Sequence, residues 1–167
     1  MIALGTFLVP QDRQALWKAL DLQRMWAAQY PRLFDEEDLR LATGRQGVRG
    51  FHFVDWLGAI IVSTITGYDA LVSKYQYPRH ARKRQVVAAL GLTNVLRLRQ
   101  PRFGGTQGPD LLMYRPDYSD FFFCEVKGPG DALRGRQNPY FRHLENETGR
   151  RIRLLRLGWA KEPRVGA

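Results

Sequence analysis

The sequence holds a single cysteine, Cys124, in 167 residues. One thiol excludes an internal disulfide and a cysteine-rich zinc site, and it fits a reducing, cytoplasmic setting. Set between Phe123 and Glu125, it reads as a small apolar core residue. Acids are also scarce: 16 Asp and Glu stand against 26 Lys and Arg, a net charge of +10. That excess favours a polyanionic partner, nucleic acid before an anionic membrane. No stretch supplies the roughly 20 mainly apolar residues of a membrane span; the longest apolar segment, 51–77, is interrupted by Asp55, Gly58 and Ser63-Thr64. The glycine-rich stretch 100–108 lacks the Gly-Lys-Ser/Thr ending of a phosphate-binding loop, so no nucleotide cofactor is expected. His52, His80 and His143 share no metal-ligand spacing and read as surface or packing residues. The apolar N-terminus has no basic lead-in, so it is not read as a signal peptide. There is no internal repeat and no low-complexity tract.

What is present suits one domain with a real core: 44% of residues are hydrophobic and 25% charged. Residues 11–30 read as a helix, with Leu16, Leu20, Met25 and Trp26 near helical spacing and Pro31 beyond. The only acidic run, Asp35 to Asp38, reads as a solvated helix start rather than a set of metal ligands. Residues 43–50 read as a loop. In 51–77, Phe53, Leu57, Ile60, Ile61, Thr64 and Ile65 predict a long buried helix, broken near Gly67. The basic segment 78–84 then leads into a short helix stopped by Gly91. Its Arg79, His80, Arg82, Lys83 and Arg84 are the candidate phosphate-contacting surface, with a solvated basic face as the alternative. Tyr75 and Tyr77 beside it read as packing residues, with stacking on bases as the other use. Residues 95–98 read as a strand with arginines at 97 and 99, and 100–108 as a loop.

The most informative stretch runs from Gly108 to Gln137. Asp110 opens a short apolar strand, Arg115-Pro116-Asp117 makes a turn, and Phe121 to Val126 reads as a buried strand. Side chains alternate along a strand, so Glu125 and Lys127 share one face while Val126 takes the other. Charge facing inward at the end of an apolar strand is costly unless something compensates it. A divalent cation held by Glu125 and by Asp110 from the partner strand would do so, and hard oxygen ligands suit Mg²⁺ or Mn²⁺. Lys127 beside it is placed to orient or deprotonate a water, or to neutralise charge developing on a phosphate. Beyond a Gly128-Pro129-Gly130 turn, Asp131 either orients Lys127 or caps the turn. A helix capped by Asn138, with Pro139 in its first turn, is expected to run to Thr148, with Gly149 ending it. A last strand spans 152–157, followed by a short tail.

Pro109-Asp110 with Glu125-Val126-Lys127 is the pattern of the PD-(D/E)xK nucleases. Extended by Gly108, Leu111, Gly128-Pro129-Gly130-Asp131, Leu133 and Gln137, the stretch resembles the VRR-NUC family across residues 95–157. That family includes small phage and bacterial nucleases and the catalytic domain of the Fanconi-associated nuclease. The resemblance implies an α/β, restriction-endonuclease-like core, a central mixed sheet flanked by helices, over residues 51–158. Residues 1–50 would then be an N-terminal helical extension and 159–167 a C-terminal tail. It further implies metal-dependent hydrolysis of DNA, in some members branched DNA such as flaps or four-way junctions. Carried onto this sequence, Asp110, Glu125 and the Val126 backbone carbonyl hold Mg²⁺ or Mn²⁺, Lys127 assists the chemistry, and Gln137 stands at the family's active-site glutamine. The first core helix of such folds often carries another acidic ligand, for which Asp55 is the candidate and Asp69 the reserve, with a plain helix-start residue as the alternative for Asp55. Arg134 and Arg136 join the expected DNA-contacting set. Relatives of this fold often dimerise, while the N-terminal helices could instead complete a monomer. The rival readings are a nuclease fold kept for binding nucleic acid without turnover, and an interaction protein that docks through residues 1–50.

Overall fold

The middle of the chain alternates in a way that builds two cores at once. Phe122, Cys124 and Val126 point to one side of their strand and Phe123 to the other, and all are buried. Both faces of such a strand must be covered, which calls for a sheet with helices on either side. A computed structural model shows this arrangement, described for residues 1–45, 50, 52–72, 75, 79–97, 108–133 and 135–160.

The elements in order are β1 (Ile2–Val9), α1 (Asp12–Lys18), α2 (Asp21–Gln29), α3 (Glu36–Ala42), α4 (Phe53–Thr66) and β2 (Asp69–Val72). Then come α5 (Ala81–Ala89), α6 (Thr93–Arg97), β3 (Leu111–Tyr114), β4 (Phe121–Lys127), α7 (Asn138–Thr148) and β5 (Arg153–Trp159). The strands form one mixed sheet in the order β1-β5-β4-β3-β2. The β2-β3-β4 part is antiparallel, while β5 runs parallel to both β4 and β1. One face carries Val72, Leu111, Met113, Cys124, Val126 and Leu155 against the residues of α2 and α4. The other carries Leu71, Leu112, Phe123 and Ile152 against α5, α6 and α7. No helix among the described residues is long and apolar enough to cross a membrane.

Several expectations change here. The helix over 11–30 is two helices: Leu20 adopts the left-handed conformation, and the Gln23 amide donates to the Trp17 carbonyl at 2.6 Å, satisfying that buried oxygen at the break. The long helix of 51–77 stops at left-handed Gly67, and 69–72 is a strand. Residues 95–97 are helical, because Leu92 and Leu96 are both buried on one side at a spacing of four. Nor are residues 1–50 only a helical extension. β1 is an integral strand paired with β5, and Trp17, Trp26, Leu33 and Phe34 share one core with Phe53 and Trp56 of α4. Phe34 stacks on Trp56 at 3.7 Å, and Trp17 meets Trp56 edge-on at 5.4 Å. The acidic run does start a helix, with the Asp35 carboxylate accepting from the Asp38 N–H at 2.9 Å, but it is not the solvated start expected, because Asp38 is only 2% exposed. Helix α7 ends at left-handed Gly149 and the last strand follows, both as expected, but the cap of α7 falls one residue earlier than expected, at Gln137. Tyr77, residues 98–107, Arg134, the side chain of Arg136 and residues 161–167 lie outside the described residues.

Candidate active site

Strands β3 and β4 pair Leu111 with Cys124. Asp110 lies one residue before that pair and Glu125 one residue after it, so the ladder brings the two carboxylates to the same end of the sheet. The Asp110 Oδ2 accepts a hydrogen bond from the Val126 N–H at 2.8 Å, which ties the start of β3 to the end of β4. Glu125 is only 1% exposed. Its Oε1 receives two donors, the Lys127 ammonium at 2.5 Å and the Gln137 amide at 3.0 Å. Its Oε2 is equally buried and has no hydrogen-bond partner among the described residues. A buried carboxylate oxygen without a donor requires a reason, and a cation is one that fits.

Helix α4 reaches this point because two glycines let it. A Cβ on Gly58 would lie 2.7 Å from Val126 Cγ2, and one on Gly128 would lie 3.0 Å from Val54 Cγ2. The close approach brings Asp55, in the first turn of α4, within electrostatic reach of the carboxylates. The Asp110 carboxyl is held well above the usual aspartate range, first by burial, then by the negative charges of Asp55 and Glu125; the Val126 N–H and Lys127 oppose this. Three acids crowded at one strand end with one lysine form an anionic set of hard oxygens, which suits Mg²⁺ or Mn²⁺. Asp55 itself has the His52 Nδ1 at 3.5 Å. Asp69 does not belong to this site. It pairs with Tyr114 at the far end of β3 and is bound by Arg32 at 2.9 Å.

Gln137 arrives from a single 3-10 turn, Gly135–Gln137, that leads into α7. Pro139 fits because it falls in the first turn of that helix, where its missing N–H costs nothing. Asp131 is exposed, and its backbone N–H donates to the Gly128 carbonyl at 3.0 Å, closing the turn. Tyr75, expected to pack or to stack on bases, is buried and stacks on Phe123 at 6.3 Å. Its hydroxyl has no hydrogen-bond partner among the described residues. Burial, then Tyr140, Asp110 and Glu125, push its phenol well above the usual value. Tyr75 is therefore a neighbour of the carboxylates. Nothing local in the sequence shows this, since it follows from the misread strand 69–72. Cys124 lies buried in the core on the opposite face, its thiol pushed up to about 12 chiefly by burial.

The basic segment is corrected most. Lys83 is 1% exposed, donates to the Val72 carbonyl at 2.8 Å and pairs with Asp38 at 2.7 Å. Arg82 donates to the carbonyls of Arg32, Leu33 and Ala70. His80 is buried beside Asp35 and Asp38. These three side chains hold the fold together, so they do not form a phosphate-contacting surface. Arg79 and Arg84 are exposed. Alternation of charge in the sequence cannot separate the two uses, because the acids that bury these cations lie some 45 residues earlier.

No protein-family model matches the chain. A search of curated proteins finds no match either.

Proposed function

We propose that the chain is a Mg²⁺- or Mn²⁺-dependent nuclease that hydrolyses DNA phosphodiester bonds, with a restriction-endonuclease-like core of the VRR-NUC type. The observation that carries the reading is the meeting of Asp110, Glu125, Lys127 and Gln137 at one sheet end, with a buried Glu125 oxygen left without a donor among the described residues. The order α4, β2, β3, β4, α7, β5, with α5 and α6 inserted between β2 and β3, is compatible with the same core. Asp110 and Glu125 would hold the cation, helped by the Val126 carbonyl and by Asp55.

A bound divalent cation supplies Lewis acidity: it makes water a better nucleophile and stabilises the leaving oxygen. The rest falls to the protein. Lys127 and Gln137 occupy Glu125 Oε1, which leaves Oε2 as the ligating oxygen. The Val126 N–H fixes Asp110 through Oδ2. The Lys127 ammonium, already drawn to the carboxylates, is the group that orients the attacking water or donates to a phosphate oxygen. Exposed Arg79 and Arg84 and the excess positive charge supply attraction to the DNA backbone. The single buried thiol suits a cytoplasmic enzyme, and cutting both strands of a duplex would call for two copies.

The test is a panel of labelled single-stranded, duplex, 5′-flap and four-way-junction DNA with Mg²⁺, Mn²⁺ or EDTA. Cleavage with either metal and none in EDTA is expected, and the preferred structure names the substrate class. DNA bound but uncut under every metal would instead favour the non-catalytic binding module.

A further inference from the structure

A second group of ligating side chains lies away from the sheet end, between α3 and α5. Asp35, the N-cap of α3, and Asp38, in its first turn, face His80, the N-cap of α5. One ligand atom from each of the three lies within 4.8 Å of the other two. We propose that these residues bind a divalent transition metal of the zinc class and that the ion is structural, clamping α3 to α5.

The distances carry the argument. His80 Nε2 lies 3.3 Å from Asp35 Oδ1 and 3.5 Å from Asp38 Oδ1. Zinc binds imidazole nitrogen and carboxylate oxygen at about 2.1 Å, which in a tetrahedron sets ligand atoms roughly 3.4 Å apart. The observed separations are those of ligands around a small ion. His80 is 4% exposed, and neither ring nitrogen has a hydrogen-bond partner among the described residues, although carboxylates of Asp35, Asp38 and Glu37 lie within 3.7 Å of them. Asp38 is 2% exposed, and its Oδ2 lacks a hydrogen-bond partner too. A cation between Nε2 and the two carboxylates would be held by all three ligand atoms.

The surroundings fit a metal in other ways. Glu37 Oε2 lies 3.7 Å from His80 Nδ1, on the ring's far side. An outer carboxylate there favours the Nδ1–H tautomer, which leaves Nε2 free to ligate. Lys83 pairs with Asp38 Oδ1, and Arg82 lies 3.8 Å from Asp38 Oδ2. Both cations lie on Asp38, and Arg40 lies 3.8 Å from Glu37 Oε1, so Asp35 is the carboxylate ligand without a Lys or Arg partner among the described residues. Asp35 is the most exposed of the three ligands, with 28% of its side chain accessible, and gives the ion a way in. A set of one nitrogen and two oxygens favours zinc-class ions over Mg²⁺, which prefers six oxygens. The clamp would join the N-terminal helices to the α5 side of the sheet.

The experiment uses the full chain and Zn²⁺ or Co²⁺ alone. Wild-type protein should bind one Zn²⁺ per chain by elemental mass spectrometry and show the intense visible absorption of tetrahedral Co²⁺. Its Tm should rise with Zn²⁺ by on the order of 5 °C. Asp35→Asn keeps an N-cap acceptor and should lose the metal, the Co²⁺ spectrum and the Tm rise; His80→Gln should do the same. The Asp110→Asn/Glu125→Gln double variant should retain all three, which separates this site from the proposed active site. Absence of bound metal in the wild type would overturn the proposal. So would a Co²⁺ spectrum unchanged in both Asp35→Asn and His80→Gln.

Discussion

Among the described residues, Glu125 takes two donors on one oxygen and none on the other, although the whole side chain is buried. Removing its charge while keeping its shape separates the chemistry from the fold. Glu125→Gln is expected to cost at least about 100-fold in cleavage, with far-UV circular dichroism unchanged. Asp110 makes a second residue-scale statement. Its carboxyl binds a proton more tightly in the folded chain than in the unfolded one, through burial and the charges of Asp55 and Glu125. Between the ordinary aspartate range and that raised value, folding takes up a proton, so stability falls as pH rises. Asp110→Asn still offers an acceptor to the Val126 N–H and removes the loss. In EDTA the variant should melt higher than the parent at about pH 8, and the gap should close towards about pH 4. An equal or lower Tm at the higher pH would refute this account of the strand end. Glu125 and Lys127 were legible in the sequence because strand alternation puts them on one face, whereas Gln137 was placed only by the resemblance. Tyr75 was not legible, since its place depends on partners from β4 and α7.

At the scale of elements, the site depends on how closely α4 lies on β4. Gly58 permits that contact, for a Cβ there would lie 2.7 Å from Val126 Cγ2 and 2.9 Å from Cγ1. Gly58→Ala should therefore cost about 1–3 kcal/mol by overpacking, despite the higher helix propensity of alanine. Gly135→Ala meets nothing within 4 Å and serves as the near-neutral control. Chemical denaturation of the two variants decides it, and a Gly58→Ala protein as stable as the control would contradict the packing. Element types were readable where the signal was local: the cap at Asp35, Gly149 after α7, and the alternation of β4. They were misread where short apolar runs fit either period. Residues 69–72 and 95–97 exchanged roles because a stretch of four or five apolar residues is compatible with strand and helix alike, and only packing decides.

At the scale of the whole molecule, the N-terminal part belongs to the same core as the site. β1 extends the sheet beside β5, and Trp17 is fully buried against Trp26, Phe53 and Trp56. Trp17→Ala should cost about 3–5 kcal/mol. The chain should unfold in one transition, whether followed by tryptophan fluorescence or by circular dichroism. Two separate transitions would make residues 1–50 an appendage after all. The sequence does not announce this unity, because pairing of β1 with β5 joins residues about 150 apart and leaves no local pattern. Positive charge misleads at this scale as well. A net +10 attracts polyanions, yet Lys83 and most of Arg82 are consumed inside the fold.

The central claim, that the sheet end is a metal-dependent nuclease centre, is tested most directly by DNA cleavage with purified wild type beside Lys127→Ala and Glu125→Gln, in Mg²⁺, Mn²⁺ and EDTA. The account predicts cutting by the wild type with metal, none in EDTA, and loss in both folded variants. Cleavage by folded Glu125→Gln at the wild-type rate would contradict it.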